Sequence, residues 1–166
     1  MIKGIVCVAS DWGIGKNNGL LFNLPADMKF FRKTTKHNIV VFGKSTYDSL
    51  SKRPLPGRFN VVLWDQATSL DCLEGAITFA KFDELLRFVQ LLAKEFEVFI
   101  CGGSSIYKLF LPYYDEVLVT KVEASDPETT AFFPNLDKEK SYYIDRYLGG
   151  GIDNGLSYEF LKYKRR

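Results

Sequence analysis

Histidine is almost missing from this chain of 166 residues: His37 stands alone, and the three cysteines, Cys7, Cys72 and Cys101, are odd in number and widely separated. No zinc-ligand spacing can be drawn from such a set, and no disulfide framework. Cys7 and Cys101 each lie in an apolar run and read as small core residues. No apolar run approaches the roughly 18 residues of a membrane span, and residues 1–9 lack the length and flanks of a signal peptide. No membrane partner and a reducing cytoplasm are therefore expected. Charge of one sign is also missing. The 22 basic and 20 acidic residues leave a net charge of +2, too little to argue for nucleic acid. The basic run at residues 162–166 alternates with apolar residues and reads as a last strand ending in a solvated tail. There is no P-loop, and the glycines at 13, 15 and 19 miss the dinucleotide fingerprint because the third is one residue late and no helix starts there.

Apolar residues make up 46% and aromatics 15% of the chain, enough for one core and one domain spanning 1–166. Runs rich in β-branched residues predict strands at 2–9, 38–43, 60–64, 76–79, 97–101, 116–122 and 156–163. Between them, helices are predicted near 25–35, 45–50, 82–94 and 104–111; the third carries its apolar residues on one face. Residues 13–19 read as an irregular, mobile lid, and Gly149-Gly150-Gly151 as a loop. Alternating strands and helices without repeats imply an α/β fold, mostly parallel, with the last strands antiparallel.

Two strand ends carry the parts of an anion site. One runs Gly43-Lys44-Ser45-Thr46 into a helix; the other runs Gly102-Gly103-Ser104-Ser105. A glycine, free amides at a helix start and hydroxyls recur in both, so a pyrophosphate held between them is expected, with Lys44 available for a further phosphate. The third feature is Asp27. Pro25 opens its helix, and Leu24, Met28 and Phe31 share its side at helical spacing. An acid on that stripe is partly buried, so it needs a hydrogen-bonding partner or a raised pKa.

Five motifs in order resemble the dihydrofolate reductase family over essentially the full length. They are Asn23-Leu24-Pro25-Ala26-Asp27, the run from Gly43 to Leu50, Arg53-Pro54-Leu55-Pro56-Gly57-Arg58, Cys101-Gly102-Gly103-Ser104-Ser105-Ile106-Tyr107, and Ser157-Tyr158-Glu159-Phe160. The resemblance implies an eight-stranded, mostly parallel sheet with an antiparallel C-terminal strand and four flanking helices. It also implies NADPH-dependent reduction of 7,8-dihydrofolate to tetrahydrofolate, a role in one-carbon metabolism and thymidylate synthesis, and a monomer.

Site residues follow from the same resemblance. Asp27, Thr120 and the lid residue Leu20 are the implied catalytic set. Asp27 would hold the pterin, and Thr120 would bond Asp27 and the pterin amino group. Ile5, Cys7, Met28, Phe31, Leu50 and Leu55 would form walls around the substrate. Arg58 would clasp the glutamate carboxylate, with Arg32 and Arg53 as further candidates. Cys7, Ala9, Ile14, Gly15, Gly19, Leu20, Cys101 and Tyr107 would surround the nicotinamide, with Cys101 and Tyr107 also bordering the substrate. Gly43, Ser45, Thr46 and the run Gly102, Gly103, Ser104, Ser105, Ile106 would hold the pyrophosphate. Lys44, Leu63, Trp64, Asp65 and Lys81 would lie on the adenosine side. No metal is implied.

Three departures from the family pattern stand out. Phe22 replaces a frequent tryptophan, Trp64-Asp65 replaces a serine or threonine pair, and residues 128–134 lack an Asp-Thr pair that holds the lid. Two other readings use the same residues: a folate- or nucleotide-binding protein with lost or secondary catalysis, and a reductase of another heterocycle. Retention of Asp27 argues against the first, and Arg58 against the second.

Overall fold

A strand buried on both faces is apolar along its whole length, and the central strands of this protein have that character. The computed structural model describes residues 1–17, 19–68 and 70–166; Asn18, expected in the lid, lies outside them. In chain order the elements are β1 (Ile2–Val8), β2 (Gly13–Lys16), β3 (Gly19–Leu20), α1 (Pro25–Thr35), β4 (Ile39–Gly43), α2 (Lys44–Ser49), β5 (Phe59–Leu63) and β6 (Ala76–Phe79). Then follow α3 (Phe82–Leu92), β7 (Val98–Ile100), α4 (Ser104–Phe110), a 3-10 turn (Leu111–Tyr113), β8 (Glu116–Val122), β9 (Ala131–Phe132), β10 (Tyr142–Asp153) and β11 (Leu156–Arg165).

Eight strands form one sheet in the order β10-β11-β8-β1-β7-β4-β5-β6. The ladders from β8 through β1, β7 and β4 to β6 are parallel, whereas β11 runs antiparallel to both β8 and β10. Side chains alternate across the sheet. Val6, Val8, Val41 and Ile100 pack with Leu85 and Val89 of α3 and Ile106 and Phe110 of α4. On the opposite face Ile5, Val40, Phe42 and Phe99 pack with Tyr47 of α2 and with Phe30 and Phe31 of α1. Each such side chain contributes ~1.5–3 kcal/mol on full burial, so the sheet fixes the frame on which both faces are built.

Three expectations need correction. The glycine-rich segment after β1 is not irregular: β2 pairs with β3 and β9 in a second, three-stranded sheet. Its glycines permit close packing, since a Cβ on Gly15 would stand 2.7 Å from the Gly19 carbonyl oxygen and one on Gly13 would stand 2.7 Å from Thr129 Cγ2. Gly149-Gly150-Gly151 lies inside β10 and not in a loop; a Cβ on Gly150 would meet the Tyr158 carbonyl oxygen of β11 at 2.5 Å. The loop is instead a tight turn at Asn154-Gly155, both at positive φ. Finally, the basic C-terminus is no solvated tail. β11 extends to Arg165, whose guanidinium donates to the carbonyls of Tyr114 and Leu111, and the Arg166 N–H donates to Ser141.

Candidate active site

The C-terminal ends of the parallel strands β1, β4 and β7 open on the edge where α1 begins, the side of an α/β sheet on which ligands bind. Cys7 of β1 and Thr120 of β8 are register partners, so their side chains leave the same face side by side. Asp27, in the first turn of α1, meets them: the Thr120 hydroxyl donates to Asp27 Oδ1 at 2.6 Å. Cys7, Ile14, Leu20, Leu21, Phe22, Leu24, Asp27 and Met28 line one narrow cleft. Burial pushes the pKa of Asp27 up, and hydrogen bonding from Thr120 and Cys7 opposes the rise. The Cys7 thiol is itself driven up by burial and by the facing carboxylate. It is half-buried in this cleft and is not the core residue that its apolar run suggests.

The first turn of α1 is held from far along the chain. Leu24, at the N-cap, offers no side-chain acceptor, and Asp153 supplies one: its Oδ2 accepts the Ala26 N–H at 2.7 Å. Next to it, Asn154 Nδ2 donates to the Asn23 carbonyl at 3.0 Å. The β10–β11 turn therefore grips the chain on both sides of Leu24 and Pro25. No local pattern around residue 27 could have pointed to it.

Above the cleft, β2 carries Ile14 and Gly15, and β3 carries Gly19 and the exposed Leu20. Contacts with the segment before β9 hold this lid. Lys16 pairs with Asp126 at 2.5 Å, and the Thr130 N–H donates to Gly15 at 3.0 Å. Asp126 thus ties down the lid through Lys16, and their distance in sequence hid the contact. Ala9, fully buried, donates its N–H to Gly13 at the base of the lid.

The two glycine turns touch one another. The Gly43 N–H donates to the Gly102 carbonyl at 2.7 Å, and a Cβ on Gly103 would lie 2.9 Å from Thr46 Oγ1. Gly102 has a φ of +125°, a conformation open to glycine, and the Gly102–Gly103 bond is cis. No side chain caps α2 or α4, whose first turns hold Ser45, Thr46, Ser104, Ser105 and Ile106. Tyr107 is buried and donates its hydroxyl to the Ile5 carbonyl at 2.8 Å, tying α4 to β1. Cys101 precedes the second turn; burial raises its thiol pKa, and Sγ contacts the Phe99 carbonyl at 3.3 Å.

The remaining candidates divide. Phe31, Leu50 and Leu55 pack together with Ile5. Asn60, buried, accepts the Leu55 N–H and donates to Leu55 and Arg58, which fixes the proline-rich loop. Arg58 then reaches Thr35 Oγ1 at 3.3 Å and lies over the Phe31 ring. Burial and the neighbouring Arg32 lower its pKa. Arg53 does not join this group: it donates to the Asp48 carbonyl at 2.8 Å in a separate hollow with Tyr47, Leu73 and Glu74. The acceptor-rich end of α2 draws it there. Lys44 is ion-paired with Asp48 at 2.6 Å and stands over the Trp64 ring at 4.5 Å. Leu63 is half-buried beside it, while Asp65 and Lys81 are exposed.

The α/β sheet thus brings a half-buried, hydroxyl-paired carboxylate and two joined glycine turns to the carboxyl ends of its parallel strands, where ligands of such sheets bind. The chain belongs to the dihydrofolate reductase family, whose model, described as "Dihydrofolate reductase", matches residues 1–165. A dihydrofolate reductase of Neisseria meningitidis is 34% identical over 161 residues, covering 97% of this chain and 96% of that one. One from Bacillus subtilis is 29% identical over 167 residues, with coverage of 100% and 95%. Among solved structures, a dihydrofolate reductase from Enterococcus faecalis complexed with NADP(H) and RAB-propyl superposes with a TM-score of 0.86 at 28% identity, covering 100% of this chain and 96% of that one.

Proposed function

We propose that this protein reduces 7,8-dihydrofolate to tetrahydrofolate with NADPH, in support of one-carbon metabolism and thymidylate synthesis. The observation that carries the reading is the half-buried Asp27, paired with the buried Thr120 in an apolar cleft. A carboxylate there meets a flat, donor-rich ring edge better than water does. It accepts from the pterin N3 and 2-amino groups, while Thr120 keeps Oδ1 oriented. Cys7, Leu24 and Met28 line the cleft around it. The negative charge of Asp27 favours protonation at pterin N5, and the proton enters as water past Leu20 at the lid. Arg58, pre-positioned by Thr35 and Asn60, takes the α-carboxylate of the glutamate tail, and Arg32 stands beside it.

The residues present suit the cofactor. At the joined turns a Cβ on Gly103 would crowd Thr46 Oγ1 at 2.9 Å, and the uncapped first turns of α2 and α4 suit a diphosphate. Lys44 and Trp64 would hold the adenosine end; Ala9, Ile14, Gly15 and Tyr107 would border the nicotinamide. NADPH supplies the hydride that reduces pterin C6.

The test is to mix the purified protein with dihydrofolate and NADPH, follow the loss of NADPH absorbance, and run NADH in parallel. Oxidation that requires dihydrofolate supports the reading. Binding of dihydrofolate without any oxidation overturns it in favour of a binding protein.

A further inference from the structure

Asp27 is a carboxylate without a countercharge. It is half-buried, and among the described residues no lysine, arginine or histidine stands within 4.0 Å of it. The titratable groups on the elements around it are engaged elsewhere. Lys16 on the lid pairs with Asp126, Asp153 on the β10–β11 turn accepts the Ala26 N–H, and Tyr107 of α4 donates its hydroxyl to the Ile5 carbonyl. Neutral donors are left to meet the carboxylate. Thr120 of β8 is one, at 2.6 Å from Oδ1. The other stands on the next strand. Cys7 is the register partner of Thr120, adjacent strands lie ~4.7–4.9 Å apart, and Cys7 and Asp27 line the same cleft. The Cys7 thiol hydrogen-bonds the Asp27 carboxylate and so opposes the upward push of burial on its pKa.

We propose that Cys7 is a positioning residue: with Thr120 it forms a donor pair on two neighbouring strands that keeps the Asp27 carboxylate ionised and aimed at the ring edge of the substrate. That the ring belongs to a folate rests on the reading under Proposed function; the contact between Cys7 and Asp27 does not. A thiol suits the place for two reasons. It is a weak donor on a wall otherwise built from Ile14, Leu24 and Met28, so it serves the acid without bringing a strongly hydrated group into the cleft. It also keeps its proton, because burial and the facing carboxylate both drive its pKa up. Cys7 therefore remains a donor throughout the range in which Asp27 titrates. The support is reciprocal: the carboxylate favours the thiol, and the thiol favours the carboxylate.

The experiment follows the carboxyl carbon of Asp27 by carbon NMR as pH is varied in the ligand-free protein, with Asp27→Asn identifying the signal. The wild type is compared with Cys7→Ala, Cys7→Ser and, as a control at the exposed cysteine, Cys72→Ala. At a fixed pH within the titration, the ratio of protonated to ionised Asp27 should rise ~2–10-fold in Cys7→Ala. It should return toward the wild-type value in Cys7→Ser and stay unchanged in Cys72→Ala. The sign separates a lost donor from lost bulk, because a smaller side chain that merely admitted water would ease the burial of Asp27 and lower the ratio. In turnover, the acid limb of kcat/KM for dihydrofolate should move to higher pH in Cys7→Ala. An unchanged or lowered ratio in Cys7→Ala, a raised ratio that Cys7→Ser leaves in place, or an acid limb that does not move would overturn the role of Cys7 while leaving the reductase reading intact. The expected ratios in a protein that does not oxidise NADPH with dihydrofolate would support the donor pair and overturn the reductase reading.

Discussion

At the scale of the residue, Asp27 is a charge placed where charge is disfavoured. Burial raises its pKa above the ordinary carboxylate value, so the folded protein holds that proton more tightly than the unfolded chain does. Its contribution to stability is therefore greatest at low pH and is lost as pH rises from the unfolded value through the raised folded one. Near neutral pH the ionised carboxylate is a net cost to the fold that the site's chemistry requires. Asp27→Asn should accordingly raise the melting temperature at pH 7 by ~2–4 °C and have little effect at pH 4; calorimetry at the two pH values measures this, and a lowered melting temperature at pH 7 would contradict the argument. The cysteines make a second case at this scale. Burial holds Cys7 and Cys101 as thiols, Cys7 further so by Asp27, while Cys72 is exposed. Because the thiolate is the nucleophile, brief iodoacetamide treatment at pH 8 should label Cys72 well before the other two, read by peptide mass spectrometry.

Among the elements, α1 depends on a strand pair that is remote in sequence. Its first turn lacks a side-chain cap of its own and takes Asp153 instead. Loss of a cap costs ~0.5–2 kcal/mol, and here it would also loosen the turn that holds Asp27. Asp153→Ala should raise the dissociation constant for dihydrofolate several-fold and leave that for NADPH unchanged, whereas Asp153→Asn, which keeps an acceptor oxygen, should retain most of the affinity. Fluorescence titration with each ligand distinguishes this from general destabilisation, which would weaken both. Elements differ in how plainly they can be read from sequence for a related reason. β1, β4, β5, β7 and β8 are buried on both faces, so their unbroken β-branched runs announce them. β10 lies at the sheet edge with bulges after Ile144 and Tyr147 and with three glycines, which erases the period-2 pattern. β2 and β3 are short and glycine-rich because they pack backbone to backbone, and composition alone makes such a segment look like a loop.

On the scale of the whole molecule, the candidate site is assembled from residues 7, 27, 101–107, 120 and 153, which no window of sequence contains. Asp27 and the two glycine turns were legible because each has a local rationale: an acid on an apolar stripe, or glycine and hydroxyls at a strand-to-helix junction. Their convergence was legible only through the likeness of five ordered motifs to one family. Asp153, Asp126 and Asn60 were not legible, because each acts on backbone groups of another segment. Parallel strands whose carboxyl ends share one edge make the convergence possible, as the β1–β8 register sets Cys7 beside Thr120 and both below Asp27. The most direct measurement is single-turnover oxidation of NADPH by dihydrofolate at pH 7 in the wild-type protein and in Asp27→Asn, with the NADPH dissociation constant determined for both. The expected result is a loss of ~10²-fold or more in the variant's rate with cofactor affinity unchanged; a variant as fast as the wild type would contradict the role of the Asp27 carboxylate.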